Sequence, residues 1–269
     1  MIAVFDSGVG GLSVLREIRA QLPRADLLYF ADQFHVPYGA RPIEEIRLFS
    51  EAITRFLLAR GAATIVVACN TASAAALKHL RATFPDVPFV GMEPAVKPAV
   101  ERSRARVVGV IATPATFQGE LFASAVDRFA TGVKVITQIC PGLVEQIEAG
   151  ELDRPKTKAI LRESLAPLIA QGIDTLVLGC THYPFVIPAM REIVGPVVEI
   201  IDPSPAVARQ VERVSAHRLD LQRETGRLIL VSTGDVDKLK EFADRVAGMK
   251  GKEAQGKWEG GNSVSLLSP

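Results

Sequence analysis

The chain has 269 residues, of which 48% are hydrophobic and 23% are charged, an ordinary balance for a globular protein. Its 31 basic and 30 acidic side chains leave a net charge of +1, so composition gives no sign of a nucleic-acid or membrane-surface partner. No apolar run approaches the roughly 18 residues of a membrane span, and three cysteines are too few for a disulfide framework, so we expect a cytoplasmic protein with free thiols.

Short apolar runs alternate with longer amphipathic segments along the chain, a pattern typical of α/β proteins. Before residue 93, strands are predicted at 2–5, 27–31, 65–68 and 89–91, with helices at 12–22, at 43–58 and after Asn70. After Glu93-Pro94, strands are predicted at 107–111, 133–139, 175–179 and 197–201, with helices after Thr113 and at 143–148 and 158–170. A helix at 206–214, a strand at 227–231 and a helix at 235–246 follow.

The repetition of this pattern predicts two similar domains, each a mostly parallel sheet flanked by helices. We expect the first domain to comprise 1–93 and 205–250 and the second 94–204, with a loosely ordered tail at 251–269. Asp6 and Cys69 are 63 positions apart, and Thr113 and Cys180 are 67 apart. This near-match is weak evidence for an internal duplication.

Two cysteines occupy similar turns. Cys69 ends a buried strand and precedes Asn70-Thr71, which are good N-cap residues, and Cys180 likewise follows an apolar strand. A helix N-terminus lowers the pKa of a thiol, because its free N–H groups favour the thiolate. The matched turns favour two reactive thiols over two buried small hydrophobes, whereas Cys140 has no such context and is interpreted as a core residue.

Two alternatives involve the same cysteines. Cys69, Cys180 and His182 could bind zinc, but no C-x-x-C or H-x₃-H spacing supports a metal site or a redox pair. His182 follows Cys180 by two residues and is better interpreted as its proton partner. His35, with the remaining histidines, is expected at the surface.

A glycine-rich segment, Asp6-Ser7-Gly8-Val9-Gly10-Gly11, follows the first strand. A dinucleotide-binding motif would require a third glycine at position 13, which is Ser13, and Asp32 fits the expected acidic position poorly. We interpret the glycines as allowing a ligand to approach the backbone beside Asp6 and Ser7, at the carboxyl end of a strand.

Four segments in register, together covering the chain to about Asp202, resemble the glutamate racemase family of the aspartate/glutamate racemase superfamily. They are 6–12 (DSGVGGL), 37–39 (PYG), 68–72 (ACNTA) and 179–184 (GCTHYP), and 232–235 (STGD) is similar to a later family segment. The resemblance implies a racemase that interconverts L- and D-glutamate for peptidoglycan synthesis and needs no cofactor or metal. It also implies a cleft between two domains as the active site, and we expect a homodimer.

The resemblance also implies roles for individual residues. Cys69 and Cys180 would flank the α-carbon of glutamate, one removing the proton and the other returning one to the opposite face. Asp6 would assist Cys69, and His182 would assist Cys180 with Glu148 nearby. The positions that match substrate contacts are Asp6, Ser7, Tyr38, Gly39, Asn70, Thr71, Thr181 and His182.

Two other functions remain open. Aspartate and hydantoin racemases share the paired cysteines, although the segments at 6–12, 37–39 and 181–184 favour glutamate. A non-catalytic amino-acid-binding protein on the same fold is the alternative from a different class. The presence of both cysteines argues against it, because binding alone would need neither thiol.

Overall fold

The computed structural model describes residues 1–217, 226–246, 248–249 and 253–254, which form two α/β domains. The sheet of the first domain contains β1 (Ile2–Asp6), β2 (Leu27–Ala31), β3 (Thr64–Val67), β4 (Phe89–Gly91), β9 (Leu228–Ser232) and β10 (Glu253–Ala254). The sheet of the second contains β5 (Val107–Ala112), β6 (Lys134–Gln138), β7 (Thr175–Gly179) and β8 (Glu199–Ile201). The predicted fold class is confirmed.

Helices cover the faces of these sheets. They are α1 (Leu12–Gln21), α2 (Ile43–Ala59), α3 (Asn70–Thr83), α4 (Val96–Arg102), α5 (Pro114–Gln118), α6 (Glu120–Phe129), α7 (Leu143–Glu148), α8 (Pro155–Ala170), α9 (Ile187–Val194), α10 (Ser204–Ser215) and α11 (Val236–Arg245). The sequence pattern did not predict α4, because this seven-residue helix contains Pro98 and is too short to show a period. Within the described ranges, no helix has the length and apolar character needed to cross a membrane.

Four strands of the first sheet follow the same order as the four strands of the second, and β9 and β10 extend the first sheet beyond this shared part. The first runs β10-β9-β2-β1-β3-β4 and the second β6-β5-β7-β8, so β1 and β5 are equivalent, as are β3 and β7. Every strand pair is parallel, and the carboxyl ends of all strands in one sheet therefore lie at one edge. Ligands of open α/β sheets bind at that edge, beside the strand at which the strand order changes direction across the sheet. In this protein those strands are β1 and β5.

Alternate residues of the central strands pack on opposite faces. In β1, Phe5 packs with the apolar residues of α2 and α3, whereas Val4 belongs to a larger cluster on the other face. That cluster also contains Leu178 of the second sheet and Leu143 of α7, so one continuous apolar core joins the two domains.

The predicted division of the chain at 93/94 and 204/205 stays a prediction, because strand order alone does not assign the connecting helices. The predicted loose tail at 251–269 lies outside the described residues, except for Glu253–Ala254, which pair with β9 as β10.

Asp174 fixes the edge of the second sheet that carries the amino ends of its strands. Its carboxylate accepts hydrogen bonds from the Ser103 hydroxyl at 2.6 Å and from the backbone N–H groups of Arg104 and Ala105 at 2.6 and 2.7 Å. Burial raises the pKa of Asp174, but these hydrogen bonds outweigh it and hold the pKa below its usual value. The ionised form therefore contributes to stability.

We expect Asp174→Asn to lower the free energy of unfolding by about 1–3 kcal/mol at pH 7, since hydrogen bonds to a charged acceptor are lost. A lowered pKa stabilises the folded state above the unfolded-state pKa, and this contribution disappears as the pH falls. Urea unfolding at pH 7 and below pH 4 measures the difference. A deficit that stays constant across these pH values would contradict the assignment.

Candidate active site

Cys69 lies between the two domains at the carboxyl edge of the first sheet. It is the N-cap of α3, and its Sγ accepts a hydrogen bond from the Ala72 N–H at 3.4 Å and lies 3.8 Å from the Ser7 hydroxyl. Burial raises the pKa of the Cys69 thiol far above its usual value, and the charge of Asp6 raises it further. The N–H of Ala72 at the helix N-terminus lowers this pKa as expected, but burial outweighs that contribution, so the expected net lowering of the pKa is wrong.

Cys180 follows β7 directly, but its turn differs from that of Cys69. The next element is a 3₁₀ turn at Tyr183–Val186, and α9 begins only after it. Cys69 and Cys180 therefore both follow the end of a strand, as predicted, but only Cys69 lies at the N-terminus of an α-helix. The polar partner of Cys180 is instead His182, whose Nδ1 lies 3.7 Å from the sulfur.

His182 and Glu148 form a buried pair behind Cys180. His182 Nε2 lies 2.6 Å from Glu148 Oε1, and the imidazole is 2% exposed. Burial lowers the pKa of His182, but hydrogen bonds to Cys180 and Glu148 outweigh it and raise the pKa well above its usual value. Burial raises the pKa of Glu148, whereas the contact with His182 reverses this and lowers it. The pair is therefore an imidazolium and a carboxylate.

Asp6 joins the first domain to the second from the end of β1. One carboxylate oxygen accepts the Gly8 N–H at 2.8 Å, and the other accepts the Thr181 hydroxyl at 3.0 Å. Burial raises the pKa of Asp6 to about 6, although the positive charge of His182 opposes the shift. Asp6 is thus a buried carboxylate that titrates near neutral pH.

The glycines after β1 receive side chains of the second domain. A Cβ on Gly8 would lie 1.9 Å from Glu148 Oε1, and a Cβ on Gly10 would lie 2.4 Å from His182 Nδ1. The N–H of Val9 donates to Glu148 Oε1 at 2.7 Å. The interpretation that these glycines admit a ligand is therefore corrected, because the space beside them holds Glu148 and His182.

Three threonine hydroxyls bridge the domains on the other side of Cys69. Thr71 Oγ1 lies 2.9 Å from Thr113 Oγ1, which lies 3.0 Å from Thr116 Oγ1. Gly39 packs against this cluster, since a Cβ there would lie 2.9 Å from that of Thr113. Thr113 and Thr116 were not predicted as site residues. For Thr113 a signal existed, because it follows β5 as Ser7 follows the equivalent β1.

Asn70 has an unsatisfied buried amide. The residue is 3% exposed, and within the described part of the chain neither its amide oxygen nor its nitrogen has a hydrogen-bond partner. Buried polar groups in native proteins are nearly always paired, so an amide with both groups free marks a place for a ligand. Asn70 lies beside Cys69, at the first position of α3.

The structure brings the predicted residues together, with one qualification that concerns Tyr38. Tyr38 donates its hydroxyl to Asp32 at 2.5 Å, and Gly39 of the same turn packs against Thr113. Across the described residues, no group of three or more His, Cys, Asp or Glu side chains is arranged to hold a metal ion. Cys140 is buried, and its pKa is raised to about 11 by burial.

Two α/β domains that each contribute a buried thiol to a shared interface define a class of two-domain α/β proteins with a site between the domains. The sequence profile of the family described as Asp/Glu/Hydantoin racemase matches residues 3–211. The chain belongs to this family.

Relatives and solved structures agree with this membership. A glutamate racemase of Pseudomonas aeruginosa is 57% identical over 217 residues, which is 81% of this chain and 82% of that protein. The crystal structure of glutamate racemase isoform RacE1 from Bacillus anthracis is 32% identical, with a TM-score of 0.85 over 95% of this chain and 96% of that one. A Francisella tularensis glutamate racemase in complex with D-glutamate is 27% identical, with a TM-score of 0.82 over 94% and 95%.

The raised pKa of Asp6 leads to a stability prediction. Its folded-state value of about 6 lies above the ordinary 3.8, so the folded protein binds this proton more tightly and loses stability as the pH rises from about 4 to 6. Asp6→Asn removes this loss. We expect the variant to be more stable than wild type at pH 7.5, by up to about 3 kcal/mol, and by roughly 1 kcal/mol at pH 4.5.

Urea unfolding at the two pH values measures this difference. Asp174→Asn is the matched control, because its carboxylate has a lowered pKa and its loss destabilises the protein at neutral pH. An Asp6→Asn variant that is less stable than wild type at pH 7.5 would show that Asp6 stabilises the fold as a carboxylate.

Proposed function

We propose that this protein interconverts L- and D-glutamate without a cofactor, with Cys69 and Cys180 acting on opposite faces of the α-carbon. The observation that carries the proposal is one buried thiol from each domain, each with a different acid–base neighbour. The charge of Asp6 acts on the Cys69 thiol, and His182 Nδ1 lies 3.7 Å from the Cys180 sulfur. Family membership and a relative that binds D-glutamate support the choice of substrate.

Inversion requires a base on one face of the α-carbon and an acid on the other. Burial keeps Cys69 protonated, so it can act as the acid. His182 Nδ1 lies 3.7 Å from the Cys180 sulfur and can take up its proton, so Cys180 is the group we assign as the base. Cys180 then takes the α-proton while Cys69 delivers its own to the opposite face, and the two sulfurs exchange protonation states. This arrangement suits L-glutamate, and the exchanged state suits D-glutamate.

The neighbouring polar groups can bind the substrate and stabilise the charge that develops at the α-carbon. The free amide of Asn70 offers both a donor and an acceptor, as an amino acid requires. Hydroxyls of Ser7, Thr71 and Thr181 and backbone N–H groups can hold the two carboxylates without an arginine. In a site without water, these fixed dipoles stabilise negative charge more strongly than they would in solution.

Substrate entry requires the domains to separate. Cys69 is 5% exposed and Cys180 is 7% exposed, so the sulfurs are closed off from solvent. Opening would break the Asp6–Thr181 and Thr71–Thr113 hydrogen bonds, and closing would restore them around the substrate. Closure therefore both assembles the acid–base groups and excludes water.

The biological setting follows from the activity. D-Glutamate supplied in the cytoplasm would serve peptidoglycan synthesis, and a homodimer remains our expectation for the assembled protein. An aspartate- or hydantoin-type racemase and a non-catalytic amino-acid-binding protein are the alternatives.

Deuterium incorporation at the α-carbon in D₂O, without added cofactor, tests the proposal. We expect exchange and inversion with both enantiomers of glutamate, and kcat/KM for aspartate lower by about 5- to 150-fold for each buried group left unmatched. Cys69→Ala and Cys180→Ala should each abolish racemisation while the far-ultraviolet circular dichroism stays native. Cys140→Ala is the matched control, since it removes a buried thiol outside the proposed mechanism.

Three outcomes would redirect the proposal. Faster turnover of aspartate would favour the aspartate-type racemase. Binding of glutamate without any exchange would favour the non-catalytic protein. Near wild-type racemisation by either folded cysteine variant would exclude the two-thiol mechanism.

The thiols' different neighbours predict different effects on the two abstraction steps. His182→Asn should most slow exchange that starts from L-glutamate, because Cys180 loses its imidazolium. Asp6→Asn should most slow exchange from D-glutamate, where Cys69 is the base. Steady-state kcat/KM in the two directions cannot show this, because the equilibrium constant between enantiomers is one.

Single-turnover exchange in D₂O, started separately from each enantiomer, distinguishes the two steps. Equal slowing from both enantiomers in both variants would contradict divided roles and leave Asp6 and His182 as shared supports.

A further inference from the structure

Asp32 is a buried carboxylate that the proposed mechanism does not use. It follows β2 directly and is 2% exposed. Three side chains converge on it: the Tyr38 hydroxyl donates to Oδ2 at 2.5 Å, the Thr233 hydroxyl donates to Oδ1 at 2.9 Å, and His35 Nδ1 lies 2.9 Å from both oxygens. A carboxylate this deep is tolerated because three side chains hydrogen-bond it, and the same hydrogen bonds fix the positions of those side chains.

Thr233 connects this carboxylate to the late segment at 232–235. Its hydroxyl donates to Asp32 and accepts the N–H of Phe34 at 2.9 Å, while its own N–H donates to the carbonyl of Ala31 at 3.0 Å. The end of β9 and the loop after β2 are therefore fixed to each other through one hydroxyl. The proposed thiol chemistry does not use residues 232–235.

His35 anchors the loop on its other side. Its ring stacks on Phe49 of α2 at a centroid distance of 4.0 Å, and its carbonyl accepts a hydrogen bond from Arg41 Nε at 2.6 Å. The side chain is 29% exposed, so His35 lies only partly at the surface, where it was expected. The stacking fixes the direction in which Nδ1 points, and that direction is toward Asp32.

Tyr38 connects the Asp32 carboxylate to the interface between the domains. It is 1% exposed, and it begins the 3₁₀ turn at Tyr38–Ala40, which packs against α3 and α5. Gly39 of the same turn fits against Thr113 without room for a Cβ. A shift of the Tyr38 ring by a few tenths of an ångström would therefore displace the turn that borders the thiols.

We propose that Asp32 is a positioning residue, which fixes the Tyr38–Ala40 turn for substrate binding, with Thr233 and His35 as its supports. The inference rests on the proposed function, because the turn matters only if glutamate binds beside it. Asp32 touches neither thiol, so its loss weakens binding of the ground state and the transition state alike. Uniform loss of binding raises KM and leaves kcat nearly unchanged.

The test compares Asp32→Asn, Tyr38→Phe and the double variant in steady-state racemisation of both glutamate enantiomers. We expect Asp32→Asn to raise KM about tenfold with kcat within about threefold of wild type. Tyr38→Phe should raise KM similarly. The double variant should be no worse than the poorer single variant, because both changes remove the same hydrogen bond.

Two further variants separate positioning from general stability. Thr233→Val removes the hydroxyl at nearly constant volume and should raise KM severalfold, whereas Thr233→Ser keeps the hydroxyl and should stay within about twofold of wild type. Asp174→Asn is the matched control, since it also removes a carboxylate with several hydrogen bonds, but at the opposite edge of the other sheet. It should leave KM unchanged at a comparable loss of thermal stability.

The outcomes distinguish this inference from the proposed function. If wild type neither racemises nor binds glutamate, both fail. If wild type racemises but the KM effects of Asp32→Asn and Tyr38→Phe multiply, Asp32 does not act through Tyr38. A fall in kcat at unchanged KM, or an equal rise in KM for Asp174→Asn, would also overturn the positioning role.

Discussion

The buried pair of His182 and Glu148 is the interaction on which the candidate site depends. Burying these charges is offset by their hydrogen bonds, because Glu148 Oε1 contacts His182 Nε2 and also accepts the backbone N–H of Val9 in the other domain. The pair therefore exists in this form only when the two domains are in contact. The thiol of Cys180 therefore has the charged His182 and Glu148 side chains beside it only when the two domains are in contact.

This dependence explains why glycines follow β1. Side chains at Gly8 or Gly10 would occupy the space that Glu148 and His182 fill, so the domains could not approach to hydrogen-bonding distance. Gly39 has the same role against Thr113 on the other side of the interface. The glycines are thus contact points between the domains, and the absence of side chains at these positions allows the domains to close.

The site also lowers the stability of the folded protein. Asp6 is buried with a raised pKa, and the amide of Asn70 has no partner among the described residues. Each of these features destabilises the closed protein, and a bound amino acid would offset the last of them. The Asp32 cluster contrasts with them, because every polar atom of its carboxylate is hydrogen-bonded.

The sequence by itself determined the alternation of strands and helices, the two-domain α/β fold and the positions of Cys69 and Cys180 at strand ends. These depend on local patterns of apolar residues and on short motifs. Only the tertiary structure decided the charges and contacts of the site. Residues distant in sequence decide whether Cys69 is a thiol and which group faces Cys180. They also decide which side chains fit beside the glycines and why His35 is partly buried. For the pKa of Cys69, burial outweighs the local effect of the helix N-terminus, because desolvation acts on a charge from all sides.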